Sequence, residues 1–115
     1  MNQINITFTS DGLLLKGMIH FPETSLPPVV IGCDGLLSNS FSPKQIALAR
    51  ECNARGIAYF RFDHRGCGQS DGVFNEITSL NGRCNDLISA VNTIKMREDI
   101  GKRIGLFGSS MGGTV

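Results

Sequence analysis

Apolar and polar positions change rhythm several times along this chain, and each rhythm predicts an element. Ile4, Ile6 and Phe8 alternate with polar neighbours, the period of a strand with one buried face. Ser10-Asp11-Gly12 offers a turn and Leu13 to Phe21 resumes as a second strand, so a β-hairpin is predicted. Pro22, Pro27 and Pro28 punctuate the segment after the hairpin. Val29 to Cys33, VVIGC, is a short unbroken apolar run, which suits a strand buried on both faces of a mainly parallel sheet. A helix comes next, with Ser42 as N-cap, Pro43 at its first position, Gln45 three residues after the cap and Gly56 closing it. Ile57 to Phe62 is β-branched and aromatic enough for another strand, and a Gly-rich loop, Asp63 to Gly72, comes after it. Leu80, Cys84, Leu87, Ile88, Val91 and Ile94 then recur at helical spacing, the stripe of a helix lying on a sheet. Arg103 to Phe107 is the last predicted strand.

Alternating β and α elements after a hairpin imply an α/β architecture with right-handed crossovers. Ligands of such sheets bind beyond the carboxyl ends of the strands, so the loops after Cys33, Phe62 and Phe107 should share one rim. A chain of 115 residues is one domain, 1–115, or part of one. The pattern stops at the first turn of a further helix, and the expectation is a partial domain that forms the front of a longer chain.

Composition removes several function classes. The chain is 41% hydrophobic and 18% charged with a net charge of +1, so no field of either sign would attract nucleic acid or an anionic membrane. The start, MNQINITFTS, lacks the basic and apolar stretches of a secretion signal, and no run approaches a membrane span; the default location is cytoplasmic. Four cysteines and two histidines, His20 and His64, show no paired metal-ligand spacing, so reduced thiols, no metal and no cofactor are expected.

The rim carries the chemistry. Gly108-Ser109-Ser110-Met111-Gly112 fits G-x-S-x-G directly after an apolar strand and at the opening of a helix, which is the setting of a nucleophile elbow. There the serine adopts a strained positive φ, and Gly108 and Gly112 must lack side chains because the backbone approaches closely. Gly113 eases the same crowding. Ser110 becomes the nucleophile and the N–H of Met111 one oxyanion donor. Ser109 is the rival, but no glycine pair brackets it. The second donor should come from the loop CDGLLSNS, where Gly35 permits a sharp turn and the N–H of Leu36 can point at the same spot. A carboxylate beside an oxyanion would oppose its charge, so Asp34 should turn away and bond its own loop.

VVIGCDGLLSN, FDHRGCGQSDG and IGLFGSSMGG, in that order and on those elements, resemble the α/β-hydrolase superfamily, especially its esterase, acyl-hydrolase and serine-aminopeptidase-like branches. The resemblance implies an eight-stranded, mostly parallel sheet flanked by helices, of which this chain would carry the first five strands. It maps Ser110 onto the nucleophile and Met111 and Leu36 onto the oxyanion N–H donors. Asp34 departs from the many relatives that have His before the loop glycine. Asp63 and Arg65 are expected to brace the rim through loop hydrogen bonds.

A serine hydroxyl needs a histidine to take its proton and a carboxylate to orient that histidine, and in this family both come after the serine. Neither is present after Ser110. His64 is on the correct rim but at a variable motif position, a minor candidate for the base, and His20 reads as a solvent-facing strand residue. If strand order follows the family, the last strand lies beside Val29 to Cys33 with its other edge open, a site for pairing with another strand. Two functions are compatible with this pattern. The first is a serine hydrolase of a small-molecule ester, thioester or amide that forms an acyl-enzyme on Ser110, as part of a longer chain; the 115-residue piece alone is expected to be inactive. The second is a non-catalytic remnant or binding fragment that lacks the acid and base.

Overall fold

The computed structural model describes residues 2–33, 43–64 and 80–108. Among these residues the elements run in the order β1 (Asn2–Ser10), β2 (Leu13–Phe21), β3 (Val29–Cys33), α1 (Pro43–Ala54), β4 (Ala58–Phe62), α2 (Leu80–Lys95) and β5 (Ile104–Gly108). The hairpin closes through Asp11 and Gly12, at φ 49° and 79°. Two consecutive left-handed residues match the twist of the flanking strands, and they fix an unbroken register from Ser10↔Leu13 to Asn2↔Phe21. Gly56, at φ 77°, ends α1 in the left-handed conformation predicted for it.

The sheet order is β1-β2-β4-β3-β5. β2 meets β4 antiparallel, whereas β4, β3 and β5 run parallel. The α/β-hydrolase arrangement expected of the sequence is therefore present, with β5 beside β3 and, among the described residues, no strand on its outer side. One proline pair ties the amino ends of these strands together: Pro28 O accepts from Ala58 N at 2.8 Å and Pro27 O from Gly101 N at 2.8 Å. Val29 N in turn donates to Arg103 O at 3.0 Å. The turn leading into this pair holds Leu26 at φ 47° with 60% of its surface exposed.

Alternation along β4 divides the sheet into two chemically different faces. Ala58, Phe60 and Phe62 join Ile6, Phe8, Leu15, Ile19 and Ile31 in one apolar cluster, closed by Leu87, Ala90 and Ile94 of α2. Phe8 meets Phe60 and Phe62 edge-on at 6.0 and 5.7 Å between centroids, a favoured aromatic geometry. Tyr59 and Arg61 point the other way, towards α1, where Tyr59 Oη donates to Gln45 Oε1 at 2.5 Å. That bond explains why α1 buries a glutamine together with Ala49.

The stripe predicted for α2 needs one correction. Ile88 is 57% exposed, while Leu87, Ala90 and Ile94 are buried. At about 100° per residue, those three and the half-buried Val91 form a narrow arc, and Ile88 lies outside it.

Candidate functional site

The parallel strands end at one rim, as predicted. Cys33 pairs with Gly108 across β3 and β5, and Gly32 pairs with Arg61 across β3 and β4, so three chain segments leave the sheet side by side at spacings of about 4.8 Å. Of the residues the sequence singles out, Asp63, His64 and Gly108 are described. Asp34, Gly35, Leu36, Arg65, Ser109, Ser110, Met111, Gly112 and Gly113 lie outside the described residues. Gly108 is the last residue of β5. Asp63 is buried at the end of β4, its N–H donating to Lys16 O at 2.9 Å.

His64 is fully buried, and its ring lies 4.7 Å from that of Phe62. Its Nδ1 stands 3.6 Å from Oδ2 of Asp86, also fully enclosed. The start of the rim loop is thus held against α2 by two groups whose charges would match if the imidazole were protonated. Asp86 is absent from the residues singled out by sequence, where it carries no signal beyond being a polar residue at the margin of the apolar arc of α2.

Behind the rim, at Gly32, β3 passes through a space closed to a side chain. A Cβ on Gly32 would collide with the Tyr59 hydroxyl and come within 2.5 Å of Gln45 Oε1. Arg61, only 3% exposed, is the residue opposite Gly32. It donates from Nε to His20 Nε2 at 2.7 Å and from Nη2 to Met18 Sδ at 3.2 Å. His20 is consequently not solvent-facing, contrary to the sequence expectation: it is fully buried beneath this arginine. Burial first, then the positive charges of Arg61 and the N-terminus, lower its pKa from 6.5 to about 4. The ring is neutral at neutral pH, with Nε2 as acceptor and the proton on Nδ1, which has no hydrogen-bond partner among the described residues. The alternation of Tyr59 and Arg61 against Ala58, Phe60 and Phe62 is the sequence signal for this polar layer.

Elsewhere, a groove of about 680 Å³ opens at the opposite end of the sheet from the rim, between the end of β2 and the end of α1, lined by residues that include Phe21, Arg50, Asn53 and Gly56. Among the described residues, Cys52 and Cys84 are half-buried thiols outside any disulfide, and burial raises the pKa of the Cys52 thiol. No described cluster of three or more His, Cys, Asp or Glu residues is placed to hold a metal ion. No described helix is long and apolar enough to cross a membrane.

Comparison with known proteins converges on this geometry. The family described as "Serine aminopeptidase, S33" matches residues 27–115. A curated relative from Bos taurus, "Palmitoyl-protein thioesterase ABHD10, mitochondrial", is 36% identical over 86 residues, covering 75% of this chain and 26% of that protein. An Escherichia coli protein described as an uncharacterized 31.7 kDa protein in the traX-finO intergenic region is 33% identical over 108 residues, covering 90% of this chain and 36% of its own length. The chain therefore spans only about a quarter to a third of these curated relatives. Among solved structures, Est1E from Butyrivibrio proteoclasticus with ferulic acid bound superposes with a TM-score of 0.88 at 26% identity, covering 94% of this chain and 43% of that one. The α/β hydrolase GrgF from Penicillium sp. sh18 gives a TM-score of 0.88 at 28% identity, covering 98% of this chain and 39% of that one. Its sheet order, its rim of parallel strand ends and these matches agree: the chain belongs to the S33 serine aminopeptidase family and has the α/β-hydrolase fold.

Proposed function

We propose that this chain supplies the nucleophile and the oxyanion donors of a serine hydrolase that acts on a small-molecule ester, thioester or amide. The pairing of Cys33 with Gly108 carries the reading. The segment with Gly35 and Leu36 and the segment with Ser110 and Met111 start from adjacent strand ends, which is what two backbone donors converging on one oxygen require. In this mechanism the Ser110 hydroxyl attacks the acyl carbonyl as a base takes its proton. The N–H groups of Met111 and Leu36 hold the negative oxygen. The proton returns to the leaving alcohol, thiol or amine as its bond breaks, and water releases the acid from the acyl-enzyme.

Acyl chemistry is favoured by the relatives, one named as a thioesterase and another holding ferulic acid. Among the described residues, His64 is the one histidine at this rim, and its enclosure against Phe62 and Asp86 fits a loop anchor better than a base that must reach a serine hydroxyl. In the family order the base and acid follow the serine in the chain.

A fluorophosphonate probe tests the assignment. In a longer chain that supplies base and acid, mass spectrometry should find the adduct on Ser110 and lose it in Ser110→Ala. An adduct on Ser109, or one that survives Ser110→Ala, sinks the proposal. The 115-residue chain alone should release no burst of p-nitrophenol from p-nitrophenyl butyrate; a Ser110-dependent burst would mean that a base lies within these residues after all.

A further inference from the structure

We propose that the outer edge of β1 is a docking strand for a second copy of this chain, the two β1 strands pairing antiparallel about Ile6 to make one continuous sheet. β1 ends the strand order, and among the described residues nothing pairs with its outer side. Edge strands are normally kept from pairing by charge, proline or a bulge. β1 has none of these: its nine residues, NQINITFTS, are uncharged and free of proline, and its register against β2 is continuous.

The hairpin geometry settles which backbone groups are free to pair. A two-residue turn closes on a hydrogen-bonded pair, here Ser10 and Leu13. The even-numbered residues of β1 therefore bond to β2, and Gln3, Asn5, Thr7 and Thr9 turn their N–H and C=O outward. Two copies related by a two-fold axis through Ile6 place Asn5 opposite Thr7 and Gln3 opposite Thr9, so outward groups meet outward groups. Between these pairs, Ile4 faces Phe8 and Ile6 faces Ile6. A two-fold axis perpendicular to the sheet keeps each face on its own side, so apolar residues extend the apolar face and polar ones the other. Centring on Ile6 uses the whole strand. Centring on Asn5 or Thr7 preserves the bonding pattern but shortens the overlap.

The surroundings fit an entering strand. A groove of about 580 Å³ runs along this edge, lined by Asn5 to Thr9 and by Thr93, Met96 and Arg97 at the end of α2. Met96 is 84% exposed and Ile4 39%, apolar surface that the second strand would cover. Arg97 already has its charge matched by Asp99 at 2.8 Å, so the slot does not select for an acidic partner. A partner of the same uncharged, alternating sequence meets every requirement.

Sedimentation velocity of the 115-residue chain across a concentration series tests this. A monomer–dimer equilibrium is expected. The double variant Asn5→Lys/Thr7→Lys sets lysine opposite lysine and should weaken the dimer by about tenfold or more, as should Asn5→Glu/Thr7→Glu, while an equal mixture of the two should recover it. Both side chains are exposed in the monomer, and circular dichroism reports whether the hairpin stays folded. Thr7→Pro deletes one outward N–H and no β1–β2 bond, and it should weaken the dimer without adding charge. A wild-type chain that stays monomeric overturns the proposal. So does a dimer indifferent to all these variants, which would move self-association elsewhere, for example to the edge of β5.

Discussion

Acid should unfold this protein partly through one buried imidazole. His20 is neutral in the fold first because burial penalises its charged form and then because Arg61, whose Nε donates to its Nε2 at 2.7 Å, would face it as a second cation. Its pKa falls from 6.5 to about 4. Between those values the unfolded chain binds the proton and the folded chain does not, so stability rises with pH and is lost as pH falls. The full span is about 3 kcal/mol at about 1.36 kcal/mol per unit. From about pH 7.5 down to about pH 5, roughly 2 kcal/mol should disappear. Urea melts at intermediate pH values, for wild type and His20→Gln, provide the measurement. The glutamine oxygen can still accept from Arg61 but does not titrate, so the variant should lack this part of the slope. The remaining ionisable groups are common to both proteins and cancel in the difference. If the two pH profiles run parallel, the reasoning about His20 is wrong.

Packing sets the other expectations. Phe60→Ala empties the centre of the aromatic cluster with Phe8 and Phe62 and should cost about 3–5 kcal/mol in urea unfolding. Gly32→Ala drives a methyl group into Tyr59 and Gln45; a loss of about 2–4 kcal/mol is expected from overpacking and a broken buried hydrogen bond, and a neutral result would mean that α1 moves freely from the sheet. Leu26→Gly relieves a left-handed leucine at φ 47° and should be neutral or stabilising by up to about 1 kcal/mol, read as a midpoint shift at unchanged slope.

The sequence signals each element through a different physical cue, and the cues fail in different ways. Asp11-Gly12 locates the hairpin because only left-handed residues make that turn, and the unbroken VVIGC run identifies a strand covered on both faces. The adjacency of β3 to β5 depends on contacts far apart in sequence, and it is legible only through family resemblance. His20 defeats the pattern because a histidine on an alternating strand usually faces water, whereas here Arg61 supplies a donor that makes burial tolerable. Ile88 defeats it because spacings of three and four do not fix the width of a helix's buried arc. At the rim, the motif around Ser110 is plain from its glycines, while Asp86 is silent, since its meeting with His64 requires α2 to cross the end of β4.

The proline pair at the base of the sheet bears on how such a protein can diversify. Pro27 and Pro28 carbonyls hold the entry to β5 and the start of β4 respectively, although those segments are far apart in the chain. Strand alignment is thereby clamped at the end opposite the rim. Changes of length or sequence at the rim are expected to leave the strand register unaltered. Laboratory libraries aimed at new substrates should therefore leave Leu26 to Val29 intact and, at the rim, spare Gly35, Leu36, Asp63, His64 and Gly108 to Gly112.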